Sequence, residues 1–580
     1  MPLEQRSAQW DIYAVWWGRV YALLVFLLCV ASIYTLSVSL WRGPWRDMWE
    51  VMPFLEKALT GEAGWQDYWE QYGLSHRPLI SKGLWVADLK WFAGSNHLLL
   101  AVSLFAQTII FGVVYAFLRR DDSFVSWQRN TVLWCCVFCI LSITQVFNFL
   151  HTFDVQWFLV TSSCMLSLAW LLLPKNKTNV YLVSGWLLVF FASLNNFSGL
   201  VMWPVEVLLL VSLRYPSKSI AIFSLAIVAY LPLYFYQLVP DDNAVPVYMQ
   251  LSVWQWMYFG TLVLFKFPVW YLSNPLSYQL SVDGSLHASI WLSWLAPSAV
   301  GCLLLVVARH WYLGLLGKRK YSSIAWLGLS LILFGYGVGI VTAIGRVFFW
   351  ENVYALRYQN IVLLFWIGVV LWFAADIRWR NAKVVVGSLL LLLIFTVQIG
   401  WYHNLILKMG NRSRDAHLAL VVGLENQFSA IKATVSRSHL TKDSTYTLQH
   451  EVAFLRERHA GAFADPAWSH FPALETLRLS SACSVPVVDR DVHGGDESYA
   501  RLLLRFREPV SYDAIIWYDN SATSPGLLIP AAADTWWQRI TQSMYGFTEY
   551  AGFAKKMPQQ KPEAVFARTG ERWCKVSFSS

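Results

Sequence analysis

The sequence predicts a polytopic α-helical membrane protein of about eleven transmembrane helices, followed by a C-terminal soluble domain of α+β, β-rich character. Three observations predict it. Hydrophobic residues form 56% of the 580-residue chain and charged residues only 14%, against about 25% charged in soluble domains. The apolar residues fall into separated runs of near-spanning length; a bilayer core of about 30 Å takes about 20 helical residues with every backbone amide satisfied internally. The 33 Trp, 27 Tyr and 35 Phe exceed what an aqueous core needs, and such rings suit the headgroup layer.

In order, the predicted spans lie near residues 14 to 40, 97 to 118, 130 to 149, 156 to 173, 179 to 194, 198 to 213, 219 to 238, 288 to 308, 324 to 344, 359 to 375 and 384 to 402. The stretch 251 to 287 is apolar from Trp254 to Tyr271 but carries Lys266, Pro268 and Pro275. It reads as a re-entrant or interfacial element, and a full crossing there changes the parity of every later loop. The first apolar run is too long for a signal-peptide core and is expected to stay as a helix.

Lys and Arg set the orientation, because cytoplasmic loops keep positive charge. Arg119, Arg120 and Arg129, then Lys175 and Lys177, Arg214 and Lys218, Arg309 with Lys318, Arg319 and Lys320, and Arg378, Arg380 and Lys383 occupy alternate loops. The opposite loops at 150 to 155, 195 to 198 and 239 to 250 carry neither. The N-terminus is therefore expected inside and the tail outside, as a transmembrane domain over 1–402 and an exported soluble domain over 403–580. The net charge of +9 is accounted for by the inner loops, so no nucleic-acid partner is implied. Membrane lipids are the expected surroundings of the rest.

The outer loop 41 to 96 is long and apolar in places. Trp45, Met48, Trp49, Met52, Phe54 and Leu55 cluster beside Asp47, Glu50 and Glu56, and Pro78 opens a segment with Leu79, Leu84, Trp85 and Leu89. Both read as interfacial amphipathic helices. In the tail, Val421, Leu424, Phe428, Ile431 and Val435 keep the spacing of one buried helix face, and a second helix runs from about Thr447 to Arg458. Beyond Pro466 come short strand-like runs, such as Arg501 to Arg507 and Ala514 to Tyr518. Of eight Cys, six lie in apolar spans and read as small buried hydrophobes. Cys483 and Cys574 stand in the tail, where an oxidising compartment favours a disulfide.

Ionisable groups at the outer membrane face carry the functional signal, being expensive there unless hydrated or part of a site. Asp47 is either a general base, with apolar rings raising its proton affinity, or a solvated loop acid paired with Arg46. His76, Arg77 and, one turn further, Lys82 offer donors to a phosphate. Arg346 ends one span and Arg357-Tyr358 opens the next; guanidinium groups suit phosphate oxygens, with snorkelling anchors as the alternative. Glu50, Tyr358, Asp154, Gln156 and Asn196 are candidate substrate contacts, the last three otherwise helix caps. Walker A, dinucleotide, HExxH and paired CxxC patterns do not occur, so neither ATP-driven transport nor zinc hydrolysis gains support, and no metal or cofactor site is expected. Asp489-Arg490-Asp491 spells the acidic triplet of nucleotide-sugar transferases, but stands in the exported tail, where nucleotide sugars are absent.

These features together resemble the GT-C superfamily of glycosyltransferases of bacterial inner membranes: a first helix, a large outer loop opening on an acidic residue, many further helices and an outer C-terminal domain. Three stretches are similar to the group that includes the type IV pilin arabinofuranosyltransferase: Asp47-Met-Trp through His76-Arg-Pro78, Gly345-Arg346 through Arg357-Tyr358, and His417 to Gly423. Members often carry two adjacent acids at the first position, whereas here Arg46 precedes Asp47. The resemblance implies a polyprenyl-phosphate sugar donor, an envelope glycan or pilin-like protein acceptor, Asp47 as base and a periplasmic tail. A lipid-linked sugar transporter or flippase, a membrane assembly protein and an acyltransferase are the competing classes.

Overall fold

The computed structural model describes residues 3–40, 43–44, 47–72, 76–174, 179–236, 252–273, 290–346, 356–376, 381–392, 406, 444–464, 482–483, 487–494, 499–506, 514–518, 526–530, 548–555, 564–569 and 572–576. The helices are α1 (Leu3–Ser39), α2 (Met52–Thr60), α3 (Trp65–Trp69), α4 (Leu79–Phe92), α5 (His97–Arg120), α6 (Ser126–Ile140), α7 (Ile143–Leu150), α8 (Val155–Leu172), α9 (Asn179–Ser193), α10 (Met202–Ser212) and α11 (Ser217–Phe235). There follow α12 (Val253–Thr261), a π-turn over Leu262–Lys266, α13 (Phe267–Leu272), α14 (Ile290–Leu315), α15 (Ser323–Arg346), α16 (Gln359–Ala375), α17 (Asn381–Leu392) and α18 (Ser444–Glu457).

The molecule is a polytopic helical protein. Among the described residues six helices are long and apolar enough to cross a bilayer, and the pair α6 and α7, bent by 41°, makes a seventh if taken as one span. Four shorter apolar helices, Val180–Ser193, Phe197–Ser212, Gln359–Ala375 and Asn381–Leu392, fall at the other places the hydropathy marks. On α11 one face turns outward, Leu225 being 68% and Val228 63% exposed, while Phe223, Tyr230 and Tyr234 are buried. Such a surface is stable against lipid and not against water.

Side-chain contacts sort the helix ends into two sets. At one end Trp17 donates to Ser388 at 2.8 Å, Arg120 to the Leu173 carbonyl at 3.1 Å, and Lys383 and Arg319 reach Asp376 at 2.9 and 3.7 Å. Arg120, Arg319 and Lys383 thus each tie their own connection to a neighbouring helix end. At the other end Thr152 donates to Asn96 at 2.9 Å and Ser81 to Asn195 at 3.0 Å. The run from α12 to α13 stops against the middle of α15: a Cβ on Gly335 would meet Leu272 at 3.4 Å, and the Leu272 carbonyl accepts from the Trp366 indole at 3.2 Å. A helix end inside an apolar bundle needs such a donor.

The long connection before α5 folds on itself and on the tail. Met48, Trp49, Met52, Phe54 and Leu55 pack on Trp85 and Leu89 of α4, on Phe153, and on Val452, Leu455 and Phe463 of the tail. The amphipathic faces bury one another because the tail supplies an apolar partner. Gly461 donates to the Ala93 carbonyl at 2.7 Å and His450 stands 3.0 Å from Glu56, fastening α18 over α2 and α4. Local signals punctuate these helices: Pro53 opens α2 and left-handed Gly61 (φ 81°) closes it.

The tail's described strands β1 (Val487–Gly494), β2 (Tyr499–Phe506), β3 (Ala514–Tyr518), β4 (Gly526–Pro530), β5 (Thr548–Lys555), β6 (Ala564–Thr569) and β7 (Arg572–Lys575) form an antiparallel sheet in the order β1-β2-β5-β4-β3-β6-β7. Asp489 and Asp491 are two residues apart on β1, paired with β2. A disulfide joins Cys483 to Cys574. The helix expected over Val421 to Val435, and the similar stretch His417 to Gly423, lie outside the described residues.

The helix pair that carries the site is held by a backbone-to-backbone crossing. A Cβ on Gly328 would lie 2.6 Å from the Gly368 carbonyl oxygen, and one on Gly368 would lie 2.8 Å from that of Gly328. Small residues let α15 and α16 close to this distance. Gly368→Leu is expected to destabilise the protein by about 1–3 kcal/mol through overpacking, read as a lower unfolding temperature in detergent. Gly387→Leu is the control, because a Cβ there meets nothing within 4 Å.

Candidate functional site

Asp47 is placed by its neighbours. Met48 and Trp49 are buried in the loop core, and the Glu50 amide donates to the Asp47 carbonyl at 3.1 Å, so the turn projects the carboxylate at the rim of that core. Arg357 comes from the short 3-10 turn Leu356–Tyr358 that leads into α16. Tyr358 anchors the turn, buried against Trp157 at 5.9 Å and Tyr271 at 5.3 Å between ring centroids.

The two meet: Arg357 Nη1 donates to Asp47 Oδ2 at 3.2 Å, across 310 residues of sequence. Their side chains are 29% and 21% exposed, so the pair is accessible at one side. An ion pair this open contributes at most about 1 kcal/mol to stability. Stability alone does not account for its placement.

More polar groups converge around it. Tyr72 donates to Glu50 Oε2 at 2.6 Å, and an isolated backbone bridge ties Tyr72 to His76. Burial, with the charges of Asp47 and Glu50 beside it, pushes the Tyr72 hydroxyl well above its ordinary range, so it stays a donor. His76 Nδ1 accepts from the Phe197 amide at 3.4 Å, and its ring sits edge-on to Trp157. His151 bonds Asp154 at 2.9 Å, both fully buried. Burial disfavours charge on Arg357, but Tyr358, Asp47, Asp154 and Tyr72 together outweigh it and hold the guanidinium above its usual range. Arg357 is therefore a fixed cation with acidic and phenolic groups on several sides.

The candidate cations divide. Arg77 is buried and donates to the carbonyls of Tyr234 and Trp69 at 2.6 Å each and to that of Tyr236, with its guanidinium over the Trp69 ring. Lys82 donates to the Asp67 and Glu70 carbonyls at 2.6 and 2.9 Å and lies over Phe54. Burial pulls its ammonium down to about 8, with Glu70 and Asp67 opposing. Both are clamps on backbone, so the structure does not bring them to a phosphate. Arg346 closes α15, and its side chain lies outside the described residues.

The second group of candidates is buried and bonded within the fold. Asn196 Nδ2 donates to Gln156 Oε1 at 3.1 Å, and Asn196 Oδ1 caps Ser198 at 3.0 Å. Asn196 thus caps the turn Phe197–Val201 and holds Gln156. Its neighbour Asn195 joins α9 to α4 through Ser81. Tyr72 and His151 are the residues that sequence reasoning passed over. For His151 a signal existed in the i, i+3 spacing to Asp154 ahead of a helix; for Tyr72, one of 27 tyrosines, none did.

Chemically, the arrangement offers an oriented carboxylate, a cation with further N–H donors beyond the one Asp47 takes, and neutral hydrogen-bonding groups. Among the described residues no group of three His, Cys, Asp or Glu converges as metal ligands do. No family model, no curated protein and no solved structure matches the chain.

Proposed function

We propose that the chain is a GT-C-type glycosyltransferase of a bacterial inner membrane. It moves a sugar from a polyprenyl-phosphate donor to an envelope glycan or pilin-like protein. In this reading all eleven apolar helical segments cross the bilayer, the end bearing Asp47 faces the periplasm, and the sheet domain lies there and helps hold the acceptor. The observation that carries the reading is the Asp47–Arg357 pair, a carboxylate and a guanidinium held together at one end of an apolar bundle.

The chemistry follows from the two charges. The acceptor hydroxyl oxygen attacks the anomeric carbon and its proton passes to the Asp47 carboxylate. The bond from that carbon to the phosphate oxygen breaks, and polyprenyl phosphate leaves with the electron pair, its developing charge met by Arg357. A donor phosphate competes with Asp47 for the guanidinium, so donor binding itself releases the base. Direct displacement inverts the anomeric carbon.

A transport reading has one observation in its favour, the interruption between α6 and α7, since transporters bind substrate at broken helices. The test is one reconstitution. Protein in liposomes receives undecaprenyl phosphate bearing a radiolabelled sugar, together with bacterial envelope fractions. Label moving from lipid to the envelope fraction supports transfer. Donor that crosses the bilayer with its sugar still attached and no labelled product establishes transport instead.

A further inference from the structure

Two carboxylates share the turn that carries Asp47. The Glu50 amide donates to the Asp47 carbonyl at 3.1 Å and the Val51 amide to the Met48 carbonyl at 3.3 Å, each three residues back. Bonds of that span make a 3-10 turn, in which side chains three residues apart lie one above the other. Asp47 and Glu50 therefore leave the backbone on one side, the side that Arg357 approaches. The two acids nevertheless take different partners. Arg357 donates to Asp47 at 3.2 Å, and the Tyr72 hydroxyl donates to Glu50 at 2.6 Å.

Tyr72 is firmly held where it makes that bond. Its backbone is tied to His76 in both directions, at 2.8 and 3.2 Å. Its ring leans on Phe153 with centroids 4.8 Å apart, and Phe153 stacks in turn on buried Trp85 at 4.7 Å. The hydroxyl lies in the field of Asp47, Glu50 and Arg357 together, and it stays protonated because burial and the two acids disfavour a phenolate. A phenol has one proton to give. Here Glu50 receives it, so that carboxylate is held by a neutral donor. A guanidinium offers five N–H donors and binds carboxylates strongly; one that held both acids would have fewer donors left for a phosphate.

We infer that Tyr72 is a positioning residue whose hydroxyl holds Glu50 away from Arg357, leaving the guanidinium a single carboxylate to exchange for the donor phosphate. It acts through Glu50. The inference rests on the reading of Arg357 as the cation that meets the phosphate. In Tyr72→Phe the ring keeps its place against Phe153, so the fold persists. Glu50 loses its donor and turns to the guanidinium that Asp47 already holds, and an incoming phosphate then has two carboxylates to displace instead of one.

The test is a double-mutant cycle on the full chain in nanodiscs, read as affinity for undecaprenyl phosphate. Tyr72→Phe is expected to weaken binding at least about tenfold, the scale of one hydrogen bond to a charged group. Placed in a Glu50→Gln background the same change should do nothing: whatever Glu50→Gln does by itself, the double variant binds as that single variant does, because a neutral amide is a poor competitor for the guanidinium. A tyrosine that served the fold alone, or touched the lipid directly, would weaken binding equally in both backgrounds. That outcome overturns the inference, as does unchanged affinity in folded Tyr72→Phe protein. Arg357→Ala separates this from the reading beneath it. If Arg357→Ala weakens binding and Tyr72→Phe does not, only the role of Tyr72 falls. If Arg357→Ala holds the lipid as tightly as the parent, the phosphate role of Arg357 falls and that of Tyr72 with it.

Discussion

Asp47→Asn is expected to lower sugar transfer by about 10²–10⁴-fold, the usual worth of a positioned general base, with thermal unfolding close to that of the parent and donor affinity equal or higher, because a neutral amide competes less than a carboxylate for Arg357. Asn keeps the shape of the side chain, and its oxygen still accepts from Arg357, so the 3.2 Å contact survives without its charge. What disappears is the group that takes the acceptor's proton. Stability should change little, because the pair is still reached by solvent and the hydrogen bond to Arg357 is kept by the Asn oxygen. Glu50→Gln is the informative companion. Glu50 accepts from the Tyr72 hydroxyl at 2.6 Å and is the nearest other carboxylate in sequence. A normal rate in Asp47→Asn with a collapse in Glu50→Gln would move the base from one residue to the other.

The membrane body could be read from the chain because its physics is local. About 20 consecutive residues either satisfy the bilayer or fail to, whatever lies elsewhere, and the apolar helices of the structure stand where those runs stand. Strands 501–507 and 514–518 were legible for a similar reason, against observed Tyr499–Phe506 and Ala514–Tyr518. Partnership was not legible. The faces of α2 and α4 look the same whether they meet lipid or a tail helix almost 400 residues away, and Val452, Leu455 and Phe463 decided the matter. Polar pairing inside the bundle illustrates the opposite failure: Gln107, Gln145, Asn148 and Asn360 stand in three separate stretches of the sequence, each a different local setting. Only the convergence of three helices makes them a group.

The same difficulty separates the two arginines, and a pair of variants exposes it. In sequence Arg77 and Arg357 are alike, each at the mouth of an apolar helix beside a ring residue. In the fold Arg77 satisfies the carbonyls of Tyr234 and Tyr236, left over where α11 ends, together with that of Trp69. Removing it leaves buried acceptors without a donor, so Arg77→Ala is expected to unfold at clearly lower temperature, while whatever protein remains folded keeps its activity per molecule. Arg357→Ala should do the reverse. Its partner Asp47 is partly solvated and can be rehydrated, so the fold persists. The leaving phosphate loses its fixed cation, and kcat/KM for the lipid-linked donor should fall by about 10²–10³-fold, as when one preorganised donor is removed from a site of developing charge. Arg357→Lys should recover part of that loss, because an ammonium supplies charge without the planar fork that grips two oxygens at once. Full activity in folded Arg357→Ala protein would show that the cation faces Asp47 for structure alone, and the phosphate would have to be met elsewhere.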